Sequence, residues 1–158
     1  MAENKNVERK NKFSLIELLM IIMVVGIVFT LTIPLRNDRI IKGKLKEAVK
    51  NIQIIARADV AFKEDPANGY YIFEHNVLKI QEDGSVGGDD LLNVQDELET
   101  TDGIFLFDYA VTDSSVVAIT NQNFGKEGAK IFYYLPNGPW NVGDDKISKN
   151  VFDPNWLP

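Results

Sequence analysis

The sequence contains no cysteine and only one histidine, His75. The absence of cysteine excludes disulfides and thiolate chemistry in any compartment. A single histidine leaves almost no scope for a histidine-based metal or catalytic site, so we expect His75 to be a surface or half-buried side chain. No motif pairs a nucleophile with a general base, and none pairs two carboxylates for acid–base work. We therefore predict that the chain is not an enzyme.

Positive charge is scarce in most of the chain. Residues 1–63 carry 12 Lys/Arg and 6 Asp/Glu, a net charge of +6, whereas residues 64–158 carry 5 and 17, a net charge of −12. Binding to a nucleic-acid backbone needs a basic surface, so no nucleic-acid partner is expected. We interpret most of the acidic residues as a solvated surface that keeps a domain soluble.

One long hydrophobic run, residues 15–35, contains a single ionisable residue, Glu17. At about 1.5 Å per helical residue, a run of this length spans the roughly 30 Å hydrocarbon core of a membrane. A secretory signal peptide has a shorter apolar stretch that is followed by a small-residue cleavage site. Here the run continues into IPLRNDRIIKGK without such a site. We therefore predict a transmembrane helix that is retained.

Helical periodicity continues beyond the hydrophobic run. Apolar residues recur at spacings of three and four at Ile41, Leu45, Ala48, Ile52, Ala56 and Val60. This pattern predicts an amphipathic helix that ends near Asp65-Pro66, before a turn at Asn68-Gly69. Pro34 removes a backbone hydrogen bond and is expected to kink the helix or open it locally. Gly26 allows another backbone to approach closely.

The rest of the chain predicts a β-rich head. Apolar and aromatic runs predict strands at Tyr70–Phe73, Val77–Gln81, Ile104–Val111, Val116–Thr120 and Ile131–Leu135. A short helix capped by Asp89 or Asp90 is expected over Leu91–Leu98. The C-terminal residues from Pro136 onwards, rich in Gly and Pro, are interpreted as loop.

These elements predict an α+β fold, in which a long N-terminal helix packs on an antiparallel β-sheet head. The membrane half of the helix precedes its amphipathic half. The predicted segments are a leader at 1–12, a transmembrane helix at 13–35, an amphipathic helix at 36–65 and a globular head at 66–158.

The segment FSLIELLMIIMVVGIVFTLTIP, residues 13–34, resembles the N-terminal segment of type IV pilins and type II secretion pseudopilins. The family pattern is a short polar, basic leader, then Phe, then Glu as the fifth residue counted from that Phe, and Pro as the twenty-second. Phe13, Glu17 and Pro34 occupy these places, and Gly26 falls where the family often has glycine. The match covers roughly residues 12–35. The helix leading into a β-sheet head is similar to the family only as architecture.

The resemblance implies a structural subunit of a pilus or pseudopilus filament. A prepilin peptidase would cleave between Lys12 and Phe13, and the new amino group of Phe13 would be N-methylated. In the filament, the family's Glu neutralises the amino terminus of a neighbouring subunit, a role that falls on Glu17. The implied partners are further copies of the chain, related minor subunits, the peptidase, and the inner-membrane assembly platform with its ATPase. The implied location is the inner membrane for the precursor, then a periplasmic or cell-surface filament.

The residue before the cleaved bond is usually glycine in the family, and here it is Lys12. Three alternatives follow. The peptidase accepts Lys12, or the protein is a poorly processed minor subunit, or the leader is kept and Glu17 pairs with Lys12 or Lys10. Lys12 and the basic stretch after the hydrophobic run favour a rival function, a permanently membrane-anchored extracytoplasmic binding module.

No cofactor is predicted, and calcium is the alternative that the acidic residues raise. Asp83, Asp89 and Asp90 lie in QEDGSVGGDD, whose glycine spacing loosely resembles a calcium loop. The twelve-residue EF-hand pattern is absent, however. Calcium ligands of pseudopilins lie nearer the C-terminus, where the counterparts here are Asp144, Asp145 and Asp153. We interpret these residues as acidic loops, with calcium binding as the alternative.

Overall fold

The computed structural model describes residues 14–158, and the chain divides into two units, Met1–Asp38 and Arg39–Pro158. The predicted leader, the bond between Lys12 and Phe13, and the methylation of Phe13 lie outside the described residues. One helix, α1, covers Leu15–Glu64, so its end agrees with the predicted end near Asp65-Pro66. Gly69 follows with a φ of 75°, as the predicted turn requires.

Pro34 lies inside α1, and the helix continues without interruption on both sides of it. The proline therefore neither ends the helix nor opens a gap in it. Its fixed φ is close to the helical value, and the missing N–H removes a single hydrogen bond, so the turns on either side keep the remaining bonds.

The unit Arg39–Pro158, called the head from here on, contains an antiparallel sheet of six strands in the order β2-β1-β3-β4-β5-β6. The strands are β1 His75–Ile80, β2 Val86–Gly87, β3 Phe107–Val111, β4 Ser115–Thr120, β5 Lys130–Tyr134 and β6 Trp140–Val142. Tyr109 on β3 is opposite Ala118 on β4, which in turn is opposite Ile131 on β5. The strands predicted near Val77, Ile104, Val116 and Ile131 are confirmed, although β3 begins three residues later than predicted.

The core of the head lies between one face of α1 and the sheet. Leu45, Ala48, Ile52 and Ala56 are buried, as the helical periodicity predicted, and they share one apolar cluster with residues of β1, β3, β4 and β5. Phe107 and Tyr109 on β3 are fully buried in that cluster. The predicted α+β class, with a long N-terminal helix packed on an antiparallel sheet, is confirmed.

The strand predicted at Tyr70–Phe73 is wrong, because the segment pairs with no strand of the sheet. The N–H of Ile72 instead donates to Asp59 Oδ1 on α1 at 2.8 Å, which ties this segment to the helix. A run of aromatic and β-branched residues indicates a strand only where a neighbouring strand is available.

The helix predicted over Leu91–Leu98 is reduced to a 3-10 turn at Gln95–Glu97. Asp90 closes the preceding loop, since its carboxylate accepts the backbone N–H groups of Val94 at 2.7 Å and Gln95 at 3.2 Å. The side chain thus competes with regular helical bonding at the place where it was predicted to cap a helix.

The C-terminal loop prediction is also wrong, because the segment contains β6, a short helix α2 at Lys146–Val151 and a 3-10 turn at Pro154–Trp156. β6 pairs with β5, a contact that local turn residues do not reveal. Asp145 caps α2 by accepting the backbone N–H of Ser148 at 2.8 Å. Val151 and Phe152 then close the core, with Phe152 stacked on Phe107 at a ring-centroid distance of 6.3 Å.

Candidate functional site

The first turn of α1 contains Glu17, the single ionisable residue of residues 15–35, a segment called the apolar stem from here on. The backbone N–H of Ser14 donates to Glu17 Oε2 at 2.9 Å, and Ser14 Oγ accepts the N–H of Ile16 at 3.3 Å. This reciprocal arrangement is a capping box, which satisfies donors that the start of a helix leaves free. The sequence signal is the spacing S-x-x-E, which was not predicted to be a cap because Glu17 was interpreted through its charge, as a partner of an amino terminus or of Lys12 or Lys10.

No side of the apolar stem is covered within the described residues. Its sixteen large apolar side chains are 46% to 78% exposed, from Val25 to Leu15. Covering each of them is worth roughly 1 kcal/mol or more, so covering the stem is worth on the order of 20 kcal/mol. Folded domains are typically stable by only about 5–15 kcal/mol, so a stem left in water is strongly unfavourable. The stem therefore needs an apolar environment that the rest of the described chain does not supply.

The polar groups of the apolar stem are compatible with such an environment. Thr30 Oγ1 donates to the carbonyl of Gly26 at 2.8 Å, and Thr32 Oγ1 donates to the carbonyl of Val28 at 2.6 Å. Hydroxyl groups that bond to the carbonyl four residues earlier need no water. The helix that contains the stem is long and apolar enough to cross a membrane, by length and composition, with a mean hydropathy of 2.7 over its most apolar window.

Gly26 is not required by any contact within the described chain. A Cβ atom added at this position would have no heavy atom within 4 Å. Glycine inside a helix costs about 1 kcal/mol relative to alanine, so its presence needs another reason. A close approach by a second helix is one such reason, since small residues let backbones come together.

The head half of α1 differs, because its buried face contains polar side chains that bind loops of the head. Glu47 Oε1 accepts the N–H of Leu106 at 2.9 Å, and Oε2 accepts the hydroxyl of Thr101 at 2.6 Å. Burial raises the pKa of Glu47, although these hydrogen bonds act in the opposite direction. Glu47 therefore fixes the segment before β3 on the helix. The helical periodicity did not predict this, because it assigned only apolar residues to the buried face.

Asn51 makes the second of these connections. Its Oδ1 accepts the N–H of Glu99 at 2.7 Å, and its Nδ2 donates to the carbonyl of Glu99 at 2.8 Å and to the Tyr109 hydroxyl at 3.0 Å. Asn51 is fully buried, and every one of its polar atoms has a partner. Burial is the main cause that raises the pKa of Tyr109 well above its usual value. A side chain so completely bonded is structural, because it offers nothing to a ligand.

The predicted calcium candidates do not meet around one point. Residues 14–158 contain no group of three acidic or histidine side chains that could hold a metal ion. Asp83 Oδ1 accepts the N–H and the hydroxyl of Ser85, and these bonds lower the pKa of Asp83. The remaining candidates also have local roles. Asp89 lies beside His75, Asp90 closes the 90–95 loop, Asp144 pairs with Lys149 and Asp145 caps α2.

His75 lies at the start of β1 with its side chain 17% exposed, and its Nε2 atom is 2.6 Å from the carbonyl oxygen of Asp89. The prediction of a half-buried histidine is confirmed. This contact joins the 81–89 loop to β1. It gives His75 a structural role in the head.

Comparisons with protein-family models, with curated proteins and with solved structures found no match for this chain. The functional interpretation therefore rests on the sequence and structure of this chain alone, and the most unusual feature of the chain is the apolar stem. It is a helix with an apolar surface on every side and one carboxylate in its first turn.

Proposed function

We propose that the chain is a structural, non-enzymatic filament subunit of the type IV pilus or type II secretion pseudopilus kind. The observation that carries this proposal is the exposure of every large apolar side chain of the stem, on a helix whose other half is fixed to a folded head. A membrane covers such a stem before assembly, and the stems of other copies cover it afterwards. Gly26, which no contact within the described chain requires, suits close packing of stems.

In this proposal the first residues of the stem set the register between copies. Cleavage after Lys12 creates a free amino group on Phe13, which is then N-methylated. The Glu17 carboxylate of one copy neutralises the amino group of the next. In a low-dielectric filament core, removing one partner of such a pair leaves the other charge stranded, at a cost of about 3–5 kcal/mol. The precursor resides in the inner membrane, and an assembly platform with its ATPase moves it into a periplasmic or surface filament.

The second candidate function is a permanently anchored extracytoplasmic binding module. The capping box favours it, because Ser14 gives the Glu17 carboxylate a role that needs no second copy. Under this function the stem stays in the membrane, and the leader with Lys12 stays attached.

Two variants of Glu17 test the charge-pairing role of the filament proposal, because the charge can be removed while the cap is kept. Under the anchored-module function, no sheared or periplasmic filament material is expected from wild type or from either variant. Glu17→Gln keeps an acceptor for the Ser14 N–H but removes the charge, whereas Glu17→Ala removes both. For a filament subunit, we expect both variants to insert in the membrane and both to lose filament assembly, measured by recovery in sheared surface or periplasmic material. Assembly of Glu17→Gln at the wild-type level, with a defect only in Glu17→Ala, would show that Glu17 acts as a cap and would contradict the charge-pairing role.

A further inference from the structure

A small apolar cleft lies on the head beside the first turns of its half of α1. Leu45, Val49, Trp156 and Pro158 form its apolar surface, and three lysines, Lys42, Lys46 and Lys50, lie at its edge. Its volume is about 250 Å³, below the range of roughly 300–1,000 Å³ that small-molecule sites occupy. A cleft of this size suits one or two side chains of a protein partner better than a cofactor.

The charge at the edge of this cleft is largely unused within the chain. Lys50 pairs with Glu99 at 2.7 Å, but Lys42 and Lys46 are exposed and have no ion-pair partner among residues 14–158. The partner that fits is therefore an apolar side chain flanked by carboxylates. We call this region, Lys42–Lys50 with Trp156 and Pro158, the basic cleft.

The opposite end of the head has the complementary character. Tyr70, Phe73 and Leu91 are 55%, 60% and 50% exposed there. Exposed acidic residues accompany them, namely Glu64, Asp65, Glu74 and Asp89. Lys63 is the basic residue nearest to these in sequence, and its ammonium group lies over the ring of Tyr71 at 3.9 Å. We call this set of exposed residues the acidic end.

Hydrogen bonds place the acidic end at the C-terminal end of α1. The bond from Ile72 to Asp59 holds the 70–74 segment beside the last turns of the helix. The N–H of Asp89 donates to the carbonyl of Asn76 at 3.0 Å, which holds the 89–91 segment at the start of β1. Lys46 and Glu64 are separated by eighteen residues of one helix, or about 27 Å along its axis. The two surfaces therefore cannot bind each other within one chain.

We infer that the basic cleft of one copy receives the acidic end of a second copy, with the exposed aromatic side chains Tyr70 and Phe73 entering the cleft. This inference rests on the proposed function only for its setting, a filament. A contact between two different surfaces of the same chain is heterologous, so it repeats from copy to copy, and in a filament it forms an open row of subunits. The opposite charges of the two surfaces favour a contact between the basic cleft and the acidic end, and the like charges of two basic clefts oppose a cleft-to-cleft pair.

The lack of cysteine in the chain makes a direct test available. Full-length chains with Lys46→Cys alone and with Asp89→Cys alone are mixed in membranes, treated with a short bismaleimide and separated by mass. We expect cross-linked heterodimers in the mixture, no homodimers from either single variant, and a ladder of multimers from the double variant. Homodimers of Lys46→Cys alone, or no cross-linking in any mixture, would overturn the contact. Shielding of Lys46→Cys by phosphatidylglycerol vesicles without cross-linking would assign the cleft to lipid and would also overturn it.

Charge exchange provides a second test with a matched control. The cleft cysteine is moved from position 46 to Pro158 in every chain of this test. We expect Lys42→Glu with Lys46→Glu to lower heterologous cross-linking about tenfold, because like charges then face each other. Adding Glu64→Lys and Asp89→Lys on the same chain should restore it, with the second cross-linking cysteine moved from position 89 to Leu91. The control, Lys79→Glu with Lys130→Glu, makes the same charge change on exposed positions of β1 and β5 and should cross-link normally. An equal loss in the control, or no restoration, contradicts the inference.

These outcomes are separate from those of the proposed function. Filaments that form normally without the cross-link would contradict the contact and leave the function standing. Cross-links between copies in the membrane, from a chain that never enters a filament, would support the contact and contradict the function.

Discussion

Residues 15–35 and residues 41–60 belong to the same helix, yet they differ in how their apolar side chains are covered. In residues 41–60 the apolar side chains form one face, and the sheet of the same chain covers that face. In residues 15–35 the apolar side chains point in all directions, and no described part of the chain covers them. Residues 41–60 therefore bury their apolar face within the chain, whereas the apolar stem needs an apolar environment that the described chain does not supply.

The polar residues of the two segments differ in the same way. Glu47 and Asn51 on the head half are buried and bind backbone groups of the head. Their hydrogen bonds stabilise the fold of a single chain. Among residues 14–158, the side chain of Glu17 on the stem bonds only to Ser14, and Glu17 remains exposed. A buried, fully bonded group stabilises a fold, while an exposed carboxylate beside an apolar surface is available to a second molecule.

The largest expected contrast comes from the same truncation in both segments. Ile52→Ala removes a fully buried side chain, and we expect the unfolding free energy of the head to fall by about 2–5 kcal/mol. Ile22→Ala removes a side chain that is 64% exposed, and we expect the head to change by less than about 0.5 kcal/mol. Urea unfolding of the full chain in detergent, followed by tryptophan fluorescence, measures both. Equal losses of unfolding free energy in the two variants would contradict the view that only the head half of α1 stabilises the head.

A smaller effect is expected from the acidic residues. Glu47→Ala leaves the buried N–H of Leu106 without an acceptor, and we expect a loss of about 2 kcal/mol in head stability. Glu47→Gln keeps that acceptor and removes a charge that burial disfavours, so its stability should lie close to wild type. Glu17→Ala should leave head stability unchanged in the same unfolding assay. A destabilised Glu47→Gln would show that the charge itself is needed.

The smallest effect concerns pH. Burial raises the pKa of Asp59, which the Ile72 N–H and Lys63 offset in part, and the second carboxylate oxygen has no hydrogen-bond partner among the described residues. The folded state therefore binds a proton at higher pH than the unfolded chain does. The stability that this proton contributes is present at low pH and is lost as the pH rises through the folded pKa.

Asp59→Asn removes this titration while keeping an acceptor for Ile72. We expect the stability of wild type relative to Asp59→Asn to increase as the pH is lowered from neutral, measured by unfolding at several pH values. A difference that is independent of pH would show that Asp59 does not titrate in this range.

The sequence was sufficient for the elements whose residues repeat with a clear period. The buried face of α1 follows from apolar residues every three or four positions, and the central strands follow from long runs of apolar and aromatic residues. The prediction of a helix long and apolar enough to cross a membrane follows from the length of the stem and from the near absence of charge. These features are local in sequence, which is why they could be predicted.

What could not be predicted depends on distant contacts or on single hydrogen bonds. The segment Tyr70–Phe73 has a strand-like composition, but the bond from Ile72 to Asp59 and the contact of Tyr71 with Lys63 hold it on the helix. The strand β6 exists because β5 pairs with it. The capping box at Ser14 has a local signal, S-x-x-E, but Glu17 also fits the assembly motif, and the spacing alone does not distinguish the two roles.

The central claim is that the apolar stem passes from a membrane into a filament, and the N-terminal mass of the protein tests it most directly. The mass is measured on the protein from membranes and from sheared or periplasmic material. The account predicts a chain that starts at Phe13, with one added methyl group, in the filament fraction. An intact N-terminus that starts at Met1 or Ala2, found only in membranes, would contradict the account and would support the anchored module.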